Sequence, residues 1–158
     1  MTFLLISILV TASIIIFQDF KTRRISLWLI VLFSVLNFSY SFLKTSFEQI
    51  LQNAIFCFFY FGLCWLVLKL YFKLRKYETV GIIDNMIGWG DILLMAAVGC
   101  TIAPERLFLF FTFTFVLATV VHLIFFSKKK EVPLAGYLLL VFSTYQILER
   151  FTNILNQF

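Results

Sequence analysis

Charge is scarce in this chain. Only 13% of its 158 residues are charged, 62% are hydrophobic, and the mean hydropathy is +1.00. A soluble domain carries about a quarter charged residues, and one of this length could not hide so much apolar surface from water. A soluble globular protein is excluded, and so is a disordered tail. Histidine occurs once, so no His-based metal site is expected. The three cysteines, Cys57, Cys64 and Cys100, all lie in apolar runs and form no CxxC, which indicates neither a zinc ribbon nor a disulfide framework. Cys57 and Cys64 share a helix face, and packing accounts for them. Proline occurs twice and glycine six times; there is no Pro/Ser-rich linker, internal repeat or low-complexity tail. The glycine-rich stretch lacks the Lys-Ser/Thr ending of a phosphate loop, so nucleotide binding is not supported.

What is present is a chain whose solvent is lipid. The 22 phenylalanines read as lipid-facing and core-filling rather than base-stacking. The net charge of +5 reads as membrane topology, and no nucleic-acid partner is expected. Six apolar segments are legible: Phe3–Phe17, Ile25–Leu43, Ile50 to about Leu70, Ile92–Ala103, Leu107–Phe126, and Val132 to about Leu148. They predict an all-α integral membrane protein of six transmembrane helices, a polytopic bundle forming one domain over residues 1–158. The first segment has no preceding Lys or Arg and no following cleavage site, so it reads as a retained span. Ten of the 13 basic residues fall between segments one and two, three and four, and five and six; Lys44, Arg106 and Arg150 fall on the other side. This bias puts the odd-numbered connections in the cytoplasm and both termini outside, in an inner membrane.

Segment four is too short. Twelve apolar residues give about 18 Å of helix against a hydrocarbon core of about 30 Å. To span, it must draw on 82–91, which holds Asp84, Asn85, Gly88, Gly90 and Asp91. Irregular backbone at membrane depth is tolerated only against protein or a wet cavity, and an ionisable residue there is a functional candidate. Asp19 ends segment one and Asp91 opens the apolar part of segment four, both at the same membrane edge although 72 positions apart. Two carboxylates sharing a site hold one proton between them; one can donate it while the other activates water. That suffices for amide hydrolysis without a metal. Gly88 and Gly90 flank Trp89 and allow an extended substrate backbone to approach. Asp91 near a helix N-terminus and Asp19 near a helix C-terminus suggest Asp91 as base and Asp19 as the protonated partner. The plainer readings are a helix-end residue for Asp19, an N-cap for Asp91 and a simple turn for the glycines. Asp84 reads as a loop or capping residue. His122, Asn37 and Asn53 read as interhelical hydrogen-bonding groups. Lys128–Lys130 reads as a topology determinant touching anionic lipid, and Lys69–Tyr77 as a gate or an interfacial helix.

These residues resemble a known family. GWGD, Gly88–Asp91, followed by Ile-Leu-Leu, looks like the GxGD motif of intramembrane aspartyl proteases. DFKTRRIS, Asp19–Ser26, is similar to the first-aspartate motif of type IV prepilin peptidases, and VPLAGYL, Val132–Leu138, to that family's C-terminal Ile-Pro-Phe-x-Pro-Phe-Leu stretch. The resemblance implies an aspartyl endopeptidase that removes the leader of prepilin-like precursors at the cytoplasmic membrane face. Asp19 and Asp91 would be catalytic; Gly88, Trp89, Gly90, Arg23, Arg24 and Pro133 would bind substrate or shape the site. No metal or organic cofactor is implied. The chain has no room for the methyltransferase region of the long members. It departs from the family at Ser26 (for Pro), Leu27 (for Asn), Leu93 (for Lys) and Gly136 (for the second Pro). Those departures motivate an alternative, a non-enzymatic assembly partner in a secretion or pilus system; a small proton-coupled transporter using the same carboxylates is a third reading.

Overall fold

The structure is a computed structural model that describes residues 1–74, 88–125 and 132–155. Among these residues the chain forms six helices: α1 (Thr2–Thr22), α2 (Leu27–Lys44), α3 (Phe47–Leu74), α4 (Trp89–Gly99), α5 (Pro104–Phe125) and α6 (Leu134–Leu155). Arg75, Lys76, Asp84, Asn85 and Lys128–Lys130, together with the end of the Lys69–Tyr77 stretch, lie outside the described residues.

Each expected segment became a helix, but not each is a full apolar span. α1, α2, Phe47–Val67 of α3 and Pro104–Ile124 of α5 are long and apolar enough to cross a membrane. α4 has 11 residues, about 16 Å of helix, and ends at Gly99 rather than Ala103. α6 has the length, yet Gln146, Glu149 and Arg150 interrupt its second half. The chain is thus a polytopic helical membrane protein, with four long apolar helices among the described residues. Phe3, Trp28, Phe58, Phe59 and Leu109 are each more than two-thirds exposed. An apolar surface of that extent suits acyl chains and not water.

One residue stripe per helix turns inward. On α1 it is Leu5, Ile8, Thr11, Ala12, Ile15 and Asp19; on α2 it is Ile30, Phe33, Asn37, Tyr40 and Ser41. These spacings of three and four hold one helix face. Asp19 therefore continues the interior stripe of α1, which extends past the expected stop at Gln18-Asp19 to Thr22. α1 lies against α6, its main neighbour, and against α2, and its buried stripe includes the small residues Thr11 and Ala12. α4 is central: Leu94, Met95, Ala97, Val98 and Gly99 are buried against α2, α3 and α6. Asn37 ties α2 to α4, its Nδ2 donating to Ala97 O at 3.1 Å and Thr101 Oγ1 at 3.1 Å. Gly99 lets Cys57 of α3 sit where a Cβ would be, with Phe111 of α5 beside it. An aromatic layer fills the rest, with Tyr60 stacked on Phe111 and Phe142 edge-on to Phe33 and Phe110.

Candidate active site

The end of α1 and the starts of α2, α4 and α6 meet at one end of the bundle. The sequence at 132–138 explains the last of these. Pro133 fixes its own φ and lacks an N–H, so it suits the entry to a helix. It is buried, and its carbonyl accepts the first α6 bond from Tyr137 N–H at 3.2 Å. The opening amides of any helix have no partner within it. In α6 two of them find partners on other helices: Ala135 N–H donates to Asp91 Oδ1 at 3.1 Å, and Gly136 N–H donates to Asp19 Oδ2 at 2.7 Å. Consecutive amides thus hold both carboxylates, which places the two accepting oxygens within about 9 Å of each other by backbone dimensions. Asp19 is 5% exposed, whereas Asp91 is half-buried.

The convergence expected from segment order is therefore present, with two differences. Asp91 is not an N-cap: Gly88 takes that place, in extended backbone, and Asp91 stands in the first turn with its own N–H bonded to Gly88 O at 3.0 Å. The helix-end argument does not divide the roles of the two acids either, because both carboxylates lie against the positive end of α6.

The other expected site residues fall around this pair. Arg23 closes α1 in the left-handed region (φ 55°), with its N–H bonded to Asp19 O at 3.0 Å. Such a conformation usually belongs to glycine. Arg23 lies near enough for its charge to act on Asp19 and on Tyr137. Arg24 is exposed. Trp89 is 60% exposed at the start of α4. Neither Gly88 nor Gly90 needs glycine for its backbone. A Cβ on Gly88 would meet Asp91 Oδ2 at 3.4 Å, and one on Gly90 would meet Ile30 Cδ1 at 3.5 Å, both ordinary contacts.

Sequence reading missed the groups that hold the carboxylates. Gly136 was noticed only as a departure from a proline, yet its N–H is the donor to Asp19, and a proline has none. Ser26 repeats the pattern: its N–H donates to Gln18 Oε1 at 3.0 Å and clasps the α1–α2 turn. Phe20 packs edge-on to Tyr137 at 5.2 Å, closing the α1–α6 contact beside Asp19. Pro133 marks the helix start in the sequence, but nothing in the sequence says which groups its opening amides will meet. Leu93, in the place of the family's lysine, is exposed beside α2 in an apolar groove with Val31 and Val35. Among the described residues no three metal-ligating side chains come together.

No curated protein and no solved structure matches the chain significantly. A family model does match, that of the type IV leader peptidase family, over residues 3–123. The matched stretch includes Asp19, Gly88–Asp91 and Asp91 itself, and it stops before α6. With more than three-quarters of its length matched, the chain belongs to the type IV leader peptidase family.

Proposed function

We propose that this chain is a membrane-embedded aspartyl endopeptidase, one transmembrane domain over residues 1–158, that cleaves the leader of prepilin-like precursors at the cytoplasmic membrane face. The observation that carries the reading is the pair of consecutive α6 amides holding Asp91 and Asp19. The basic residues Lys21, Arg23 and Arg24 stand at the same end of the bundle, the side expected to face the cytoplasm.

In this reading the two carboxylates share one proton. The ionised one takes a proton from water as the water oxygen bonds to the scissile carbonyl carbon. The protonated one gives its proton to the carbonyl oxygen. Collapse of the tetrahedral intermediate breaks the C–N bond, and a proton passes to the leaving nitrogen. The products are a leader with a new carboxyl group and a mature chain with a new amine. The α6 amides orient the acids and support negative charge. Gly88, Trp89 and Gly90 line the approach, with Arg23, Arg24 and Pro133 shaping it.

Asparagine separates catalysis from mere helix capping. It keeps a carbonyl oxygen that can accept from Ala135 or Gly136 but cannot exchange the proton. Asp19→Asn and Asp91→Asn are each expected to fold as the wild type does and to lose cleavage of a prepilin-like precursor in membranes. Full cleavage by either variant would refute the dyad. A folded wild-type protein that cleaves no prepilin-like precursor would favour the non-enzymatic assembly partner.

A further inference from the structure

The end of the bundle remote from Asp19 and Asp91 holds a second feature. Thr101, just past α4, bonds to Asn37, which lies seven residues before α2 ends at Lys44. The short helix α4 therefore stops about 10 Å short of the end of α2. The space beyond it is a cavity of about 380 Å³, in the range of small-molecule sites. Its lining is polar although the surrounding helix surfaces are apolar. Charges of both signs stand there in equal number: Lys44 and Arg106, Glu105 and Glu149. Lys44 pairs with Glu149 across α2 and α6, and Arg106 Nη1 donates to Tyr145 Oη at 3.1 Å. Gln146 lines the wall at 6% exposure, and its carboxamide oxygen has no partner among the described residues.

A polar, charge-balanced cavity at the end of membrane helices selects its ligand by chemistry. A ligand with net charge would meet as many like charges as opposite ones among Lys44, Arg106, Glu105 and Glu149, and would gain no net attraction from them. A zwitterion does not. Its anionic part suits the forked guanidinium of Arg106 and the ammonium of Lys44. Its cationic part must serve carboxylate and carboxamide acceptors. A primary ammonium brings three N–H donors to them, and a quaternary ammonium brings none. Phe42 and Phe47 stack at 6.2 Å near this end and are more than half exposed, ready to meet acyl chains. We propose that this cavity binds a phosphodiester–primary ammonium headgroup, that of a phosphatidylethanolamine from the leaflet opposite the carboxylate pair.

The test uses the full chain, delipidated in detergent and given phosphatidylethanolamine, phosphatidylcholine or phosphatidylglycerol, with retention read by native mass spectrometry. One phosphatidylethanolamine per chain is expected, with the other two held at least about tenfold more weakly. Glu149→Gln and Arg106→Gln should each reduce that retention about tenfold. Arg106 is exposed, so its variant decides the matter should Glu149→Gln fail to fold. Free phosphoethanolamine that competes at equal concentration would support the same chemistry with a soluble source. Equal retention of ethanolamine and choline lipids, unaltered retention by Arg106→Gln, or no lipid at all (a cavity holding water only) would overturn the proposal. Asp19→Asn should retain the lipid unchanged, so failure here is independent of the peptidase reading.

Discussion

A methyl group at position 136 would lie 2.6 Å from the Phe20 ring and 3.2 Å from Asp19 Oδ2. The first distance is a clash, and Phe20 is already wedged against Tyr137. Gly136→Ala is expected to lower stability by about 1–3 kcal/mol, as overpacking does, and to weaken cleavage by displacing Asp19. Phe20→Leu in the same chain should recover part of the stability. Thermal unfolding in detergent measures both, and an unchanged midpoint for Gly136→Ala would contradict the packing. Gly90 gives the opposite expectation. Its Cβ has room and its place in α4 is helical, so Gly90→Ala should hold stability or raise it by up to about 1 kcal/mol. Lost cleavage in that stable variant would mark Gly90 as a point of substrate approach. Retained cleavage would leave it without that role.

Helix α4 is fixed by two devices of different kinds. Asn37 supplies hydrogen bonds from α2, and Gly99 admits the Cys57 sulfur of α3. Interhelical hydrogen bonds in membranes are worth about 0.6 kcal/mol on average, so Asn37→Ala should cost on the order of 1 kcal/mol. Gly99→Ala should cost more, because a methyl would overlap the sulfur. Combining it with Cys57→Ala should restore most of the loss. Unfolding measured across that double-mutant cycle would show a coupling of roughly 0.5–3 kcal/mol for residues in contact, and strict additivity would contradict the α3–α4 contact. The expected six segments anticipated the six helices of the described residues. Their inner faces were not legible, because in α1 and α2 the lipid face is as apolar as the core face, and a period of 3.6 needs a polar face to be seen.

For the whole molecule, the bundle has two chemically distinct ends. One holds the carboxylates with Lys21, Arg23 and Arg24; the other holds Lys44, Arg106 and Glu149. In a cysteine-free background, Arg24→Cys should react with a membrane-impermeant thiol reagent only when the cytoplasmic face is open. Thr45→Cys should react only from the opposite face. Labelling of both from one side would overturn the orientation.

By itself the sequence determined the solvent, the family and the six helical segments of the described residues, and it singled out Asp19 and Asp91 as candidates, because hydropathy and short motifs are local properties that survive without packing. It noted the Val132–Leu138 stretch by resemblance alone. Only the tertiary structure decided that α6 delivers the amides of Ala135 and Gly136 to Asp91 and Asp19, across 44 and 117 positions. A backbone N–H is common to every residue except proline, so no side-chain pattern announces which ones will be spent on another helix. Their partners are set by how α1, α4 and α6 lie together.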